Sequence, residues 1–179
     1  MTTDISRQGA PRILLTTGGT GGHVFPALAV AEEIKRWYPA AEILFMGGQY
    51  GKEAIWVNKA GVEFVGLPVR GMIGRGIKAV AAAGSMICAV FQAVKIIRDF
   101  RPDVVAGFGG YAAFAGVLAG AFCRRPVLIH EQNAVPGVSN KILGKVADRV
   151  CIFMPESAGH FPEHKVVATG NPVRAAVTA

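Results

Sequence analysis

The stretch ILLTTGGTGGHVFPALA, residues 13–29, decides the fold. Ile13, Leu14 and Leu15 form an apolar run suited to the middle of a parallel sheet, where both faces of a strand are covered. A glycine-rich turn follows, Gly18-Gly19-Thr20-Gly21-Gly22, and an apolar helical segment is predicted from Pro26, a residue favoured at the first helical position. Strand, glycine turn and helix start in succession make a cradle for an anion. Glycine lets backbone N–H groups approach closely, and the helix start supplies unpaired donors and the positive end of a dipole. Thr20 adds a hydroxyl, and His23 at the mouth of the turn is the one side chain there that ordinarily titrates near neutral pH. The turn matches neither GxGxxG with a following acidic residue nor GxxxxGK(S/T), so by itself it also reads as a tight strand-to-helix turn with no ligand.

Working outward, short apolar runs alternate with helical segments. Strands are expected over 12–16, 42–46, 63–67, 103–107, 126–129, 149–153 and 165–168, with helices over 27–37, 52–60, 77–100, from 111 to about 122, and 138–146. That alternation predicts an α/β fold: a parallel sheet of about seven strands with helices on both faces. A second glycine turn, Gly107-Phe108-Gly109-Gly110-Tyr111, closes the fourth strand, and the fifth delivers His130-Glu131-Gln132-Asn133 to the same rim. Open α/β sheets bind ligands at the carboxyl ends of their strands, and two glycine turns on one rim fit two phosphates or one pyrophosphate. Four polar side chains at a buried strand end are costly without partners or a substrate. Residues 1–11 read as a loose leader, 12–169 as the domain, and 170–179 as the exit toward a further domain.

Of the 179 residues 51% are hydrophobic and 17% charged, with mean hydropathy +0.38. The uncharged run 79–94, at the head of the long 77–100 helix, has 16 residues interrupted by Gly84, Ser85 and Gln92, short of the roughly 20 a spanning helix needs. The first residues, MTTDISRQGAPR, lack the apolar core of a signal peptide, so a cytoplasmic location is expected. Cys88, Cys123 and Cys151 sit among apolar neighbours without CxxC spacing and are expected to be reduced and buried; His160 and His164 make a weak pair, and no metal site or cofactor is predicted.

The net charge of +7 comes almost wholly from residues 64–130, where eight bases (Arg70, Arg75, Lys78, Lys95, Arg98, Arg101, Arg124, Arg125) face two acids, Asp99 and Asp103. Such a segment suits an anionic lipid surface or a phosphorylated substrate; nucleic acid is disfavoured, since no helix-turn-helix, zinc-finger or aromatic RNA-binding motif accompanies it. The 70–76 loop, RGMIGRG, reads as exposed. The helix over 77–100 has two apolar stripes, Val80, Ile87, Phe91 and Val94 beside Met86, Val90, Ala93 and Ile97. One stripe exceeds what a surface helix needs, which fits either packing against another domain or contact with lipid headgroups.

Four segments in this order, GGTGGHVFPALAVA (18–31), GFGGYAAFAG (107–116), HEQNAVPGVSNK (130–141) and GNPVR (170–174), closely resemble the amino-terminal half of the MurG family. Members of that family are peripheral membrane enzymes that transfer N-acetylglucosamine from UDP-N-acetylglucosamine to lipid I, forming lipid II of peptidoglycan. The resemblance spans about residues 12–174. It implies a GT-B glycosyltransferase with two Rossmann-like domains, of which this chain is the first, at the cytoplasmic face of the inner membrane. By the same resemblance Thr20, Gly21, Gly22, Asn133 and Arg174 lie toward the sugar nucleotide, with Gln132 among the substrate-binding residues. Gly109, Gly110 and Tyr111 resemble the loop proposed to hold the acceptor's diphosphate. His23 matches a candidate general base, with Glu131 as the competing carboxylate.

The chain departs from the family at Ala113 and Ala115, where a serine and a proline are usual, which is expected to weaken diphosphate binding or shift it onto backbone N–H groups. Most contacts to uracil, ribose and sugar belong to the family's carboxyl-terminal domain, so this chain is expected to be inactive alone. Two other readings stand beside this one: a membrane-recruiting subunit of a split two-chain transferase, and a nucleotide-binding module without catalysis.

Overall fold

A computed structural model describes residues 9–69 and 77–173, leaving out the side chains of 77–82. The 70–76 loop, Arg174 and the ends of the expected leader and exit segment lie outside the described residues. Among the described residues seven strands form one sheet: β1 (Arg12–Thr16), β2 (Glu42–Gly48), β3 (Glu63–Leu67), β4 (Val104–Gly107), β5 (Val127–Glu131), β6 (Arg149–Ile152) and β7 (Val166–Ala168). Their order is β3-β2-β1-β4-β5-β6-β7, and every neighbouring pair is parallel.

Among the described residues five α-helices cross between strands: α1 (Gly21–Trp37), α2 (Glu53–Lys59), α3 (Ile77–Phe100), α4 (Gly110–Phe122) and α5 (Val138–Val146). Two short 3₁₀ turns, Pro155–His160 and Glu163–Lys165, fill the crossover to β7.

Alternation along the central strands sorts the helices into two layers. Ile13, Leu15, Ile43 and Phe45 point to one face and pack with Val24, Ala27, Leu28 and Ala31 of α1 and Val57 of α2. Leu14, Leu44 and Met46 point to the other, against Ala89, Ala93 and Ile97 of α3, the alanines of α4 and Leu143 of α5. The strands read as continuous apolar runs because both faces are covered.

Of the outer stripe expected on α3, Ile87 at 58% and Phe91 at 72% are exposed while Val94 is half-buried against the core; of the other stripe, Ala93 and Ile97 are buried and Met86 and Val90 half-buried. Cys88 shares that outer face and is exposed, contrary to the expectation of three buried thiols; Cys123 and Cys151 are half-buried, and none is in a disulfide. Among the described residues, no helix is long and apolar enough to cross a membrane.

Helix α1 begins at Gly21, six residues before the expected start, so Pro26 lies inside it. Its missing N–H leaves the carbonyl of Gly22 without the usual partner four residues on, and Gly22 is exposed to water that can take that place. Elsewhere β1, β3, α3 and α5 keep the expected limits and the other elements differ by one or two residues at an end, β2 running on through Gly48 and β5 through His130 and Glu131.

Gly84 lies in the exposed interior of α3 with open space where a side chain would stand. Gly84→Ala is expected to stabilise the chain by about 0.5–1 kcal/mol through backbone entropy, read as a rise in the urea midpoint at unchanged slope.

Candidate functional site

Strand order reverses direction between β1 and β4, and the loops leaving those two strands are bonded to one another. The Phe108 amide donates to the Thr16 carbonyl at 2.9 Å, the Gly18 amide to the Gly109 carbonyl at 3.2 Å, and the buried Thr17 hydroxyl to that same carbonyl at 3.2 Å. Gly109 and Gly110 have φ of +97° and +86°, and a Cβ on Gly110 would overlap the Gly18 carbonyl, so the junction requires glycine for both conformation and space.

Two helix N-termini therefore open on one spot. α1 is preceded by Thr20 and α4 by Gly109; neither has a side-chain cap or an acidic residue in its first turn. The leading amides of both helices and both dipole ends are left for an anion. Behind them Glu53, 1% exposed, accepts the Gly19 N–H at 2.8 Å and supports the first loop from below. A Cβ on Gly51 would run into the Glu53 carboxylate, so the glycines of that segment make room for it. Glu53 was not foreseen; the spacing of Gly47, Gly48 and Gly51 ahead of a carboxylate was the available signal.

His23, in the first turn of α1, lies against Gly109, and its Nδ1 is 3.1 Å from Gln132 Oε1. Both ends of the Gln132 amide are engaged, since its Nε2 is 3.2 Å from the Phe108 carbonyl and 3.1 Å from His130 Nδ1. His130, 3% exposed, reaches the Gly170 carbonyl through Nε2 at 2.9 Å. Burial pushes the His130 imidazole below the ordinary histidine value, opposed by the Gly170 hydrogen bond and the nearby Glu131 carboxylate.

Glu131, also 1% exposed, points elsewhere. Its Oε1 accepts the Asn133 backbone and side-chain N–H groups at 2.8 and 2.9 Å, and its Oε2 accepts Asn140 Nδ2 at 2.9 Å and the Gly137 amide at 3.3 Å. Four donors take up this carboxylate and pin the loop between β5 and α5, which gives it a loop-holding geometry rather than that of a base with a lone pair to offer.

A trough of about 830 Å³ runs along the rim, lined on one side by His23, Gly109, Gly110, Tyr111, Glu131 and Asn133, and on the other by apolar residues of α3 and α5. Ala113 and Ala115 are fully buried in α4, Ala115 within the core, so both side chains pack inward. Among the described residues no cluster of three or more His, Cys, Asp or Glu side chains is placed to hold a metal.

Residues 13–152 match the glycosyltransferase family 28 N-terminal domain. The chain belongs to that family. Among its relatives, the UDP-N-acetylglucosamine--N-acetylmuramyl-(pentapeptide) pyrophosphoryl-undecaprenol N-acetylglucosamine transferase of Nitratidesulfovibrio vulgaris (strain Miyazaki F) is 61% identical over 94% of this chain and 44% of its own length. The protein of the same name from Solidesulfovibrio magneticus is 52% identical over 92% of this chain and 44% of its own. The crystal structure of MurG from Acinetobacter baumannii superposes with TM-score 0.78 at 36% identity, covering 89% of this chain and 45% of that one. A UDP-N-acetylglucosamine 2-epimerase, 15% identical with TM-score 0.68 over 90% of this chain and 48% of that one, shares the fold alone. The chain thus spans about half the length of the curated relatives it matches.

Within this family 28 domain, Gly110→Ala is expected to cost at least about 1–3 kcal/mol, seen as a lowered thermal midpoint by circular dichroism. A second expectation follows from His130. The unfolded chain binds a proton near pH 6.5 and the folded one only at lower pH, so stability is full above 6.5 and falls as pH drops through the lowered folded value. Urea midpoints measured at pH 8 and pH 5.5 should differ less for His130→Gln than for the wild type.

Proposed function

We propose that this chain is the amino-terminal, acceptor-binding half of an inverting transferase that moves N-acetylglucosamine from UDP-N-acetylglucosamine to lipid I, giving lipid II for peptidoglycan. The observation that carries the reading is the convergence of two uncapped helix N-termini beside His23, on the rim of a large trough. In this reading the folded domain runs over 12–169 and residues 170–179 lead to a carboxyl-terminal domain that holds most of the nucleotide.

His23 takes the proton from the acceptor hydroxyl as that oxygen attacks the anomeric carbon and the bond to UDP breaks. The departing diphosphate carries away the negative charge, and helix N-termini stabilise it without a metal ion. Gly109, Gly110 and Tyr111 hold the acceptor's diphosphate through the α4 amides. Thr20, Gly21, Gly22 and Asn133 face the sugar nucleotide, Arg174 is assigned to it by sequence resemblance alone, and Glu131 acts by holding the Asn133 loop. The exposed Ile87 and Phe91, together with the basic 64–130 segment, bring the domain to an anionic membrane on its cytoplasmic face.

The test joins this chain to the carboxyl-terminal part of the Nitratidesulfovibrio vulgaris relative and measures transfer of labelled N-acetylglucosamine to a lipid I analogue. The fusion should form product, the isolated chain none, and His23→Ala should lower the rate about 10²–10⁴-fold. A folded fusion without product, or His23→Ala at the wild-type rate, contradicts the reading.

A further inference from the structure

We propose that Gln132 and His130 are positioning residues that fix the tautomer of His23, holding its proton on Nδ1 and leaving Nε2 as the basic nitrogen. The inference deepens the proposed function and rests on it only for the role of His23 as base; the proton arrangement is argued from geometry alone.

Two carbonyl oxygens, those of Phe108 and Gly170, have roles that are not open. The Phe108 carbonyl oxygen only accepts, so the group facing it at 3.2 Å is the NH₂ end of Gln132. That sets the amide orientation and directs Gln132 Oε1, an acceptor only, at His23 Nδ1, 3.1 Å away. A hydrogen bond at that distance requires the proton on His23 Nδ1. At the far end, the Gly170 carbonyl accepts from His130 Nε2 at 2.9 Å, which puts the His130 proton on Nε2 and leaves its Nδ1 as a lone pair. That lone pair takes the second N–H of Gln132 at 3.1 Å.

With neutral rings, only this arrangement satisfies all four hydrogen bonds. The opposite amide orientation would set Gln132 Oε1 against two acceptors, the Phe108 carbonyl and the lone pair of His130 Nδ1. A mismatch among half-buried groups of that kind leaves polar atoms unpaired and is costly. His23 itself lines the trough, so the nitrogen left without a proton belongs to a ring at the site. The hydrogen bond to the other nitrogen decides which imidazole nitrogen is available for chemistry, and Gln132 supplies it here. The sequence-based expectation that Gln132 contacts substrate is thereby replaced by one in which it acts through His23.

The test reads the protons directly. The 179-residue chain, labelled with ¹⁵N at its histidine rings, is examined by long-range ¹H–¹⁵N correlation above the ordinary imidazole titration range. Wild type should show His23 protonated at Nδ1 and His130 at Nε2. Gln132→Met should move a substantial share of His23 to the Nε2–H form, whereas Gln132→Glu, which keeps an acceptor, should retain Nδ1–H. In the fused transferase, Gln132→Met should lower kcat about tenfold or more while KM for UDP-N-acetylglucosamine stays within about twofold. A wild-type His23 protonated at Nε2, a spectrum unmoved by Gln132→Met, or a raised KM with unchanged kcat overturns the proposal. If the tautomer behaves as expected but His23→Ala leaves transfer intact, the base assignment fails and the positioning relay stands.

Discussion

The junction between the two glycine loops is the constraint on which the site depends. Gly18 and Gly110 lie so close that no side chain fits between them, and the Gly109 carbonyl receives both the Gly18 amide and the Thr17 hydroxyl. This contact locks the ends of β1 and β4 together at the place where the sheet order reverses, and so aims α1 and α4 at a common point. Because α1 carries His23 and the loop after β4 carries the Phe108 carbonyl that orients Gln132, the same junction also sets the proposed base.

The electrostatics follow from what the helix starts lack. A cap or an acidic residue in the first turn would satisfy the leading amides internally; α1 and α4 have neither. The acids of the rim are held back from this point. Glu53 lies beneath the first loop on the Gly19 amide, and Glu131 is surrounded by donors from the loop after β5. The outcome is a rim poised for a negatively charged ligand, with the hydrogen-bonded series of His23, Gln132 and His130 beside it.

Much of the fold was legible because a covered parallel sheet has a plain signature. Leu14, Leu44 and Met46 face one layer and Ile13, Leu15 and Phe45 the other, so each strand reads as an unbroken apolar run ended by glycine. The start of α1 was misread because Pro26 suits a first helical position, whereas here a solvated Gly22 carbonyl lets the proline sit one turn further in. Within the site, the tetrad His130-Glu131-Gln132-Asn133 was visible as four polar residues at a strand end, yet their separate duties were not. Successive residues of a strand point to opposite faces, so His130 and Gln132 join His23 while Glu131 turns toward Asn140. Cys88 was misjudged for a similar reason: apolar neighbours on a helix with two apolar stripes do not say which stripe is buried.

The most direct measurement is an amide chemical-shift titration of the ¹⁵N-labelled chain with a short-chain lipid I analogue carrying the diphosphate. The largest saturable shifts are expected at Gly109, Gly110, Tyr111 and Ala112, with smaller ones at Gly21, Gly22 and His23. Shifts confined to β6, β7 and the turns between them, with these amides unmoved, would contradict the claim that the joined glycine loops form the anion site.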